Sequence, residues 1–270
     1  MPKSEVLLDH VVLLLPYEQV VNPPSWIANS FHISPGGRHA DGKTENKLIL
    51  FRDGSYLELI AFIHDDPARR KGHCWDKDYG VVDFALTTRH QFDHATLRER
   101  LQKSGANFSY ADPVEGGRKT PDRQELRWKL TCPVGVERGM VPFWCSDLTP
   151  RERRVPGVNG NTHHPCGAVG ISGVVIEVAD GNYDRLKTAL AAITNTTPTD
   201  PGRYPISTPF EIGRPDQPTI WLRQRPLDGE KELRLRLLIQ CPGRGSQPNI
   251  ERKVGGGLVA IDLVNGTRPH

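Results

Sequence analysis

Short apolar runs separated by turn residues dominate the beginning of the chain. Residues 7–15 and 56–63 are the two clearest runs, and Pro, Gly and Asp residues bound them. Runs of this length with such boundaries are typical of buried β-strands. Because side chains alternate along a strand, residues two apart should share a face, so that Leu8, His10 and Val12 are expected on one side.

One order of predicted elements recurs three times: a strand, a helix, and then two or three strands. The predicted first strands are residues 7–15, 81–87 and 171–178. The predicted helices are residues 19–30, 93–104 and 182–193. The later strand candidates are residues 46–51, 56–63, 125–131, 141–145, 219–223, 233–240 and 257–264. The pattern predicts an α+β fold of repeated βαβββ modules.

The same pattern suggests how the chain is divided. Two modules are predicted within residues 1–150, and a third βαβββ-like module within residues 168–270. Residues 151–167 are rich in Arg, Pro, Asn and His and show no periodicity, which is typical of a linker loop. We expect the third module to pack against the first two, because the apolar face of its helix needs a sheet to cover.

Two polar residues interrupt the apolar runs of the first predicted module. His10 lies in the first strand and Glu58 in the last. Burying an imidazole or a carboxylate costs free energy unless the group is paired, hydrogen-bonded or bound to a metal. Since both strands belong to one predicted sheet, we expect the two side chains to converge in a site. A structural pair, metal-free acid–base chemistry and metal binding all remain open.

A glycine-rich stretch adds a third candidate to this module. Residues 34–38 include Gly36 and Gly37, and His39 follows directly. Glycines let the backbone turn tightly and approach a ligand closely. His39 is therefore a candidate general base or metal ligand. The alternative interpretation is a loop histidine that orders the hairpin through Asn46.

The second predicted module offers arginines and a tryptophan. Arg118 follows a second Gly-Gly pair, and Arg127 alternates with the apolar residues around Trp128. If Trp128 packs inward, Arg127 faces either a substrate cup or the solvent. An arginine in a cup would bind a carboxylate or an enolate oxygen. Trp128 itself is expected in the core or the pocket wall.

Matching the modules aligns few polar residues with His10 and Glu58. Phe84 and then Ser172 occupy the expected position of His10 in the later modules. Asp262 lies near the expected position of Glu58 in the third module. The middle module has only Cys145 or Ser146 there, so its contribution to a polar site is predicted to be small.

Composition excludes several classes of protein. The chain has 270 residues and a net charge of +3, too little for a nucleic-acid-binding surface. No segment approaches the roughly 20 apolar residues that cross a bilayer, and no secretory signal is expected at the start. Five scattered cysteines indicate reduced thiols in the cytoplasm. We expect a small-molecule partner, no nucleic acid and no membrane, with a monomer and a homodimer both open.

Several short motifs of the first two modules together form a recognisable combination. They are Leu8-Asp9-His10-Val11-Val12, Gly36-Gly37-Arg38-His39 with Gly42, Thr44 and Asn46, Asp53-Gly54-Ser55-Tyr56-Leu57-Glu58-Leu59-Ile60, Gly117-Arg118, Pro121-Asp122, Glu125-Leu126-Arg127-Trp128, Pro142-Phe143 and His164-Pro165. With these motifs the chain resembles the glyoxalase-like domain family of the vicinal oxygen chelate superfamily. The Gly-Gly-x-His segment joined to the Tyr-Leu-Glu strand is the specific part.

The resemblance implies a curled mixed sheet, formed by paired modules, whose concave face is a substrate cup. Members of the superfamily commonly hold one divalent metal there, and Zn, Ni, Mn and Fe are not distinguished by the sequence. His10 and Glu58 would be two of its ligands. Phe84 departs from the pattern, because the second module should supply a first-strand ligand at that position.

The resemblance also implies a function. The leading hypothesis is an enzyme that acts on a small oxygenated, carbonyl-containing metabolite by proton transfer, isomerisation or lyase chemistry. Glu58 or His39 would be the base, and Arg127 or Arg118 the anion-stabilising group. The predicted substrate-binding residues are Arg118, Trp128 and Asn46. A ligand-sequestering resistance-type protein is the first alternative, and a ring-cleaving dioxygenase with two histidines and one carboxylate on iron is the second.

Overall fold

The first half of the chain folds into two units of similar order. A computed structural model describes residues 5–120, 122–157, 160–198, 200–213, 217–225, 233–242 and 249–265. The first unit contains β1 (Val6–Leu14), α1 (Tyr17–Val21), α2 (Ser25–Ala28), β2 (Ser34–Arg38), β3 (Thr44–Leu50) and β4 (Tyr56–Phe62). After α3 (Pro67–Arg70), the second contains β5 (Gly80–Thr88), α4 (His94–Lys103), β6 (Ser109–Tyr110), β7 (Val114–Lys119), β8 (Glu125–Thr131), β9 (Pro133–Val134) and β10 (Phe143–Asp147).

The helix predicted over residues 19–30 is split into α1 and α2. Pro23 and Pro24 lie between them, and a proline inside a helix removes a backbone donor and clashes with the preceding turn. The second predicted helix is observed as α4, which buries Leu97 and Leu101. Its first turn is capped by the Asp93 side chain, which accepts a hydrogen bond from the backbone N–H of Thr96.

The two units join into one curled sheet. In each unit the last long strand runs parallel to the first, β4 beside β1 and β10 beside β5. Strands β1 and β5 pair antiparallel, which gives the order β2-β3-β4-β1-β5-β10-β8-β7. The two outer strands then meet, because the backbone N–H of Ala40 donates to the Gly117 carbonyl at 2.9 Å. The predicted α+β mixed sheet with a concave interior is confirmed.

Glycines permit this seam between β2 and β7. A Cβ atom added to Gly37 would lie 2.6 Å from the carbonyl oxygen of Lys119 across the seam. A Cβ atom on Gly117 would lie 2.6 Å from the carbonyl oxygen of Leu126. Only a residue without a side chain allows the two backbones this close. Gly37 therefore permits the close approach of β2 to β7, and Gly117 permits the close approach of β7 to β8.

We expect Gly37→Ala to destabilise the protein by about 1–3 kcal/mol, the usual cost of forcing an extra carbon into a packed site. The added methyl group would push β2 away from the Lys119 backbone, which has no freedom to rotate away. Chemical denaturation would measure the loss. Gly181→Ala is the matched control, because its Cβ atom meets nothing within 4 Å. Equal stability of the two variants would contradict the role of the seam.

The second half of the chain repeats this strand arrangement. After α5 (Arg151–Arg154), it contains β11 (Gly170–Ala179), α6 (Asp180–Thr194), β12 (Arg203–Pro205), β13 (Thr219–Arg225), β14 (Leu233–Gln240), β15 (Ile250–Val254) and β16 (Gly257–Val264). Strand β13 is parallel to β11, and β16 is parallel to β14. Strands β11 and β14 pair antiparallel, as β1 and β5 do. The sequence predicted a single module here, the third of the chain. The described residues instead form two sets of strands, and only the first set includes a helix.

The second half packs against the first. Strand β16 touches β5 through the pair Leu258 and Gly80, which joins both halves into one 14-stranded sheet. The backbone N–H of Leu8 also donates to the Ser207 carbonyl at 2.9 Å. Helix α6 lies against α4 and buries Leu186 and Leu190. No helix in the described ranges is long and apolar enough to cross a membrane.

Candidate functional site

The closed sheet of the first half surrounds a cavity of about 310 Å³. Such a volume is at the lower end of the range for small-molecule sites, roughly 300–1,000 Å³. Both units contribute to its wall. The residues that line it include His10, His39, Asn46, Tyr56, Glu58, Trp75, Arg118, Trp128, Arg138, Phe143, Cys145 and Arg154.

A β-bulge in β1 places His10 in this cavity. Leu8 pairs with Leu86 and His10 pairs with Ala85, so that Asp9 is an extra residue on β1. A bulge re-aims the side chains around it. Leu8 consequently packs in the helix-covered core with Phe84, while His10 faces the interior. Strict alternation placed Leu8 and His10 on one face, and the bulge corrects that expectation.

Glu58 lies at the centre of the polar groups. Its side chain is only 5% exposed. Its Oε1 atom accepts a hydrogen bond of 2.5 Å from Asn46 Nδ2 and lies 3.5 Å from His39 Nε2. Its Oε2 atom lies 3.6 Å from His10 Nε2 and accepts no hydrogen bond from any described residue. The structure therefore brings His10, His39, Asn46 and Glu58 together in one cavity.

His39 is held in place beside Glu58. Its Nδ1 atom lies 2.7 Å from Thr44 Oγ1. Burial lowers the pKa of His39, although Glu58 acts in the opposite direction. A lowered pKa keeps the imidazole neutral near pH 7, and a neutral imidazole is able to accept a proton. The geometry therefore agrees with acid–base work by this residue.

Tyr56 and a buried ion network form one end of the cavity. The Tyr56 ring stacks on His10 with 4.6 Å between ring centroids, and its hydroxyl accepts a hydrogen bond of 2.7 Å from Arg154. Arg154 also donates to Asp9 at 2.9 Å and to Asp147 at 2.6 Å. Burial raises the pKa of Tyr56 well above its usual value, so the phenol stays protonated. The network fixes the ring against which His10 is packed.

Another arginine with an acidic partner lies in the cavity wall. The Arg138 Nε atom donates to Asp83 Oδ2 at 2.8 Å, and Trp75 Nε1 donates to the same oxygen at 3.1 Å. The guanidinium carbon of Arg138 lies 4.7 Å from the centre of the Phe143 ring. This pair was not found in the sequence, although Asp83 interrupts an apolar strand in the same way as His10.

The predicted substrate-binding residues Arg118, Trp128 and Asn46 all line the cavity. Trp128 stands edge-on to His39, with ring centroids 6.2 Å apart. Arg118 is buried, and its Nη1 atom donates to the Gly36 carbonyl at 3.0 Å. Asn46 lines the cavity and donates a hydrogen bond to Glu58. Their positions agree with substrate contact, which stays a prediction.

Arg127 does not reach the cavity, which corrects its assignment as an anion-stabilising group. Its neighbours Leu126 and Trp128 face the interior, so alternation along β8 turns Arg127 outward. Its side chain is 53% exposed and lies 2.5 Å from Glu115 on the outer face of the sheet. Of the two arginines that the sequence offered, only Arg118 is inside.

The cavity lacks the metal ligands that the resemblance implies. Among the described residues, no three His, Cys, Asp or Glu side chains are arranged to hold a metal ion. His10 Nε2 lies 3.6 Å from Glu58 Oε2, and His39 Nε2 lies 3.5 Å from Glu58 Oε1. In the second unit, Phe84 of the first strand packs in the helix-covered core, and the last strand offers only the Cys145 thiol as a donor to the cavity wall. These residues do not fit the superfamily's metal set, and a divalent metal stays a prediction.

Comparison with known proteins identifies the family. A family model described as "Glyoxalase-like domain" matches residues 8–194. A hypothetical protein from Staphylococcus aureus is similar in structure, with 13% identity, a TM-score of 0.65, and 96% of this chain and 100% of that chain covered. At such identity the likeness shows the fold alone. No curated protein matches the sequence significantly.

Two further solved structures are more distantly similar. A mutant of 4-hydroxymandelate synthase from Streptomyces coelicolor has 12% identity and a TM-score of 0.48, covering 90% of this chain and 72% of that one. Methylmalonyl-CoA epimerase from Mycobacterium tuberculosis has 16% identity and a TM-score of 0.30, covering 48% and 82%. Since the family model spans more than half of the sequence, this chain belongs to the glyoxalase-like domain family.

Proposed function

We propose that this protein is an enzyme that transfers a proton at a carbon next to a carbonyl group of a small metabolite. One observation carries the proposal: the buried Glu58 carboxylate faces the cavity, and its Oε2 atom accepts no hydrogen bond from the residues that the structure describes. A carboxylate positioned in this way is a general base that lacks only its substrate. Asn46 holds the other oxygen and fixes the orientation of the group.

The proposed reaction begins with the transfer of the substrate's C–H proton to Glu58 Oε2. The electron pair of that bond moves to the carbonyl oxygen and forms an enolate. Donors fixed in a cavity that excludes water stabilise such a developing charge strongly. His10, next to Oε2, is placed to share the proton, and neutral His39 is placed to do the same beside Oε1. Return of a proton completes an isomerisation, whereas loss of a leaving group completes a lyase reaction.

Proton exchange in heavy water tests the proposal without knowledge of the product. Small carbonyl compounds would be incubated with the protein in D₂O, and ¹H NMR would follow the loss of the signal next to the carbonyl. We expect catalysed exchange for at least one compound class. Because the described residues include no fitting set of metal ligands, we expect exchange to persist after treatment with a chelator. Absence of exchange for every compound that binds would contradict the proposed activity.

Ligand sequestration without catalysis is the second candidate function. The observation in its favour is the aromatic wall, which includes Tyr56, Trp75, Trp128 and Phe143. Flat aromatic faces bind small ligands by stacking and burial without needing a base. Tight binding in calorimetry together with no exchange in D₂O would support this alternative.

A further inference from the structure

Arg118 differs from the other arginines that line the cavity. Arg154 pairs with Asp9 and Asp147, and Arg138 pairs with Asp83. Within the described part of the chain, no Asp or Glu side chain lies within ion-pair distance of Arg118, and only its Nη1 atom makes a hydrogen bond. Its Nε and Nη2 atoms thus remain available as donors, although the residue is only 6% exposed.

A buried arginine without a counter-charge is costly. Charged groups taken out of water normally need a partner of opposite charge and satisfied hydrogen bonds. Burial lowers the pKa of Arg118, while Tyr56 and Glu58 act in the opposite direction. Glu58 is close enough to influence Arg118 but is not paired with it. Both side chains line the same cavity, so a ligand bound there that carries its own negative charge could pair with Arg118.

We infer that Arg118 binds the carboxylate of the substrate, so that the substrate class is a small oxo-acid. The inference rests on the proposed function, because both place the substrate in the same cavity. A planar guanidinium fork donates two parallel hydrogen bonds to a carboxylate, and such charge-assisted bonds are the strong ones. Because Arg118 and Glu58 line the same cavity, one small ligand is able to contact both residues.

The chemistry on such a ligand balances without a further reactant. With pyruvate as the probe, the C3–H bond breaks, its proton passes to Glu58, and its electron pair forms the enolate at the carbonyl oxygen. In D₂O the proton on Glu58 exchanges for a deuteron from the solvent, the deuteron is returned to C3, and the carbonyl bond reforms. The carboxylate group keeps its charge and stays bound to Arg118 throughout the exchange.

The repeated Gly-Gly-Arg motif supplies a matched control. Arg38 follows Gly36 and Gly37 as Arg118 follows Gly116 and Gly117. Its side chain is 67% exposed and lies 3.2 Å from Glu45. It does not line the cavity. Substitution of Arg38 therefore removes the same chemical group from the corresponding position without touching the proposed subsite.

Calorimetric titration with pyruvate and 2-oxobutyrate, each beside its neutral amide, tests the inference. We expect the wild-type protein to bind each acid at least about tenfold more tightly than its amide, as hydrogen bonds to charged groups predict. Arg118→Gln should abolish the preference, Arg118→Lys should keep part of it, and Arg38→Gln should leave it unchanged. The acid–amide comparison in the wild-type protein is valid even if a variant fails to fold.

Two results would overturn the inference: a wild-type protein that does not bind the acids more tightly than the amides, or a folded Arg118→Gln variant that keeps the preference. Glu58→Gln separates this inference from the proposed function, because binding is measured without turnover. If Glu58→Gln exchanges protons at the full rate while Arg118→Gln loses acid binding, the proposed base is wrong and the carboxylate subsite stands.

Discussion

Replacement of Glu58 by Gln is expected to lower the rate of proton exchange in D₂O by about 10²–10⁴-fold, the usual contribution of one positioned acid–base group. Glutamine keeps the shape of the side chain and its contact with Asn46 but cannot accept a proton. Ligand binding should persist, because the aromatic walls are unchanged. Exchange rates from NMR and thermal unfolding, measured on the same preparation, would separate chemistry from stability.

The stability of Glu58→Gln should change little or even rise, because a buried charge is costly when its pairing is incomplete. His10 and His39 lie 3.5–3.6 Å from the carboxylate, beyond the distance of a strong hydrogen bond. Glu99→Gln on the exposed surface of α4 is the control and should match the wild type in both measurements. Full exchange combined with a clear loss of stability would show that Glu58 is a structural residue.

Replacement of Arg154 by Met is expected to produce the largest loss of stability, about 3–5 kcal/mol, as for other buried ion pairs that lose one partner. Arg154 is 3% exposed and contacts Asp9, Asp147 and Tyr56. Methionine fills much of the volume but leaves the fully buried Asp9 with Arg151, at 2.8 Å, as its one remaining arginine partner among the described residues. Equilibrium unfolding in urea would measure the difference. Arg153→Met, on the exposed side of α5, should have little effect.

The stability that the Arg154 network contributes should depend on pH, because Asp9 is one of its members. Burial alone would raise the pKa of Asp9, but Arg151 and Arg154 hold it well below its usual value. A carboxyl with a lower pKa in the folded state stabilises the fold above its unfolded pKa, about 3.9, and loses that contribution as pH falls through the folded pKa. The wild type should therefore lose stability below about pH 4. Arg154→Met should lose less in this range, and a steeper acid dependence in the variant would contradict the network's role.

The sequence alone determined the local elements and the most informative pair of residues. The alternation and length of the apolar runs predicted β1, β4 and β5, and the periodic spacing of leucines predicted α4 and α6. His10 and Glu58 stood out because a charged or polar group inside an apolar strand needs a partner wherever that strand packs. Such patterns depend on neighbours a few positions away in the sequence, so they can be recognised before the tertiary structure is known.

Which face each side chain occupies was decided by the tertiary structure. The bulge at Asp9 turns His10 toward the cavity and leaves Leu8 in the helix-covered core with Phe84. A shift of one residue moves a side chain to the opposite face of a sheet, and no local pattern announces it. Arg127 shows the same limit, because alternation offered two faces and only the packing of Trp128 settled the choice.

The site's long-range partners also emerged only from the fold. Asp9 and Arg154 are 145 positions apart, and the seam joins strands of two different units through Gly37 beside Lys119 and Ala40 bonded to Gly117. The sequence indicated His10, Glu58 and the two Gly-Gly segments as candidates for a functional site, because each is unusual within its own strand or loop. The curvature of the closed sheet determines which side of each strand faces the cavity. Arg118 therefore lies inside with Glu58, while Arg38 and Arg127 lie outside.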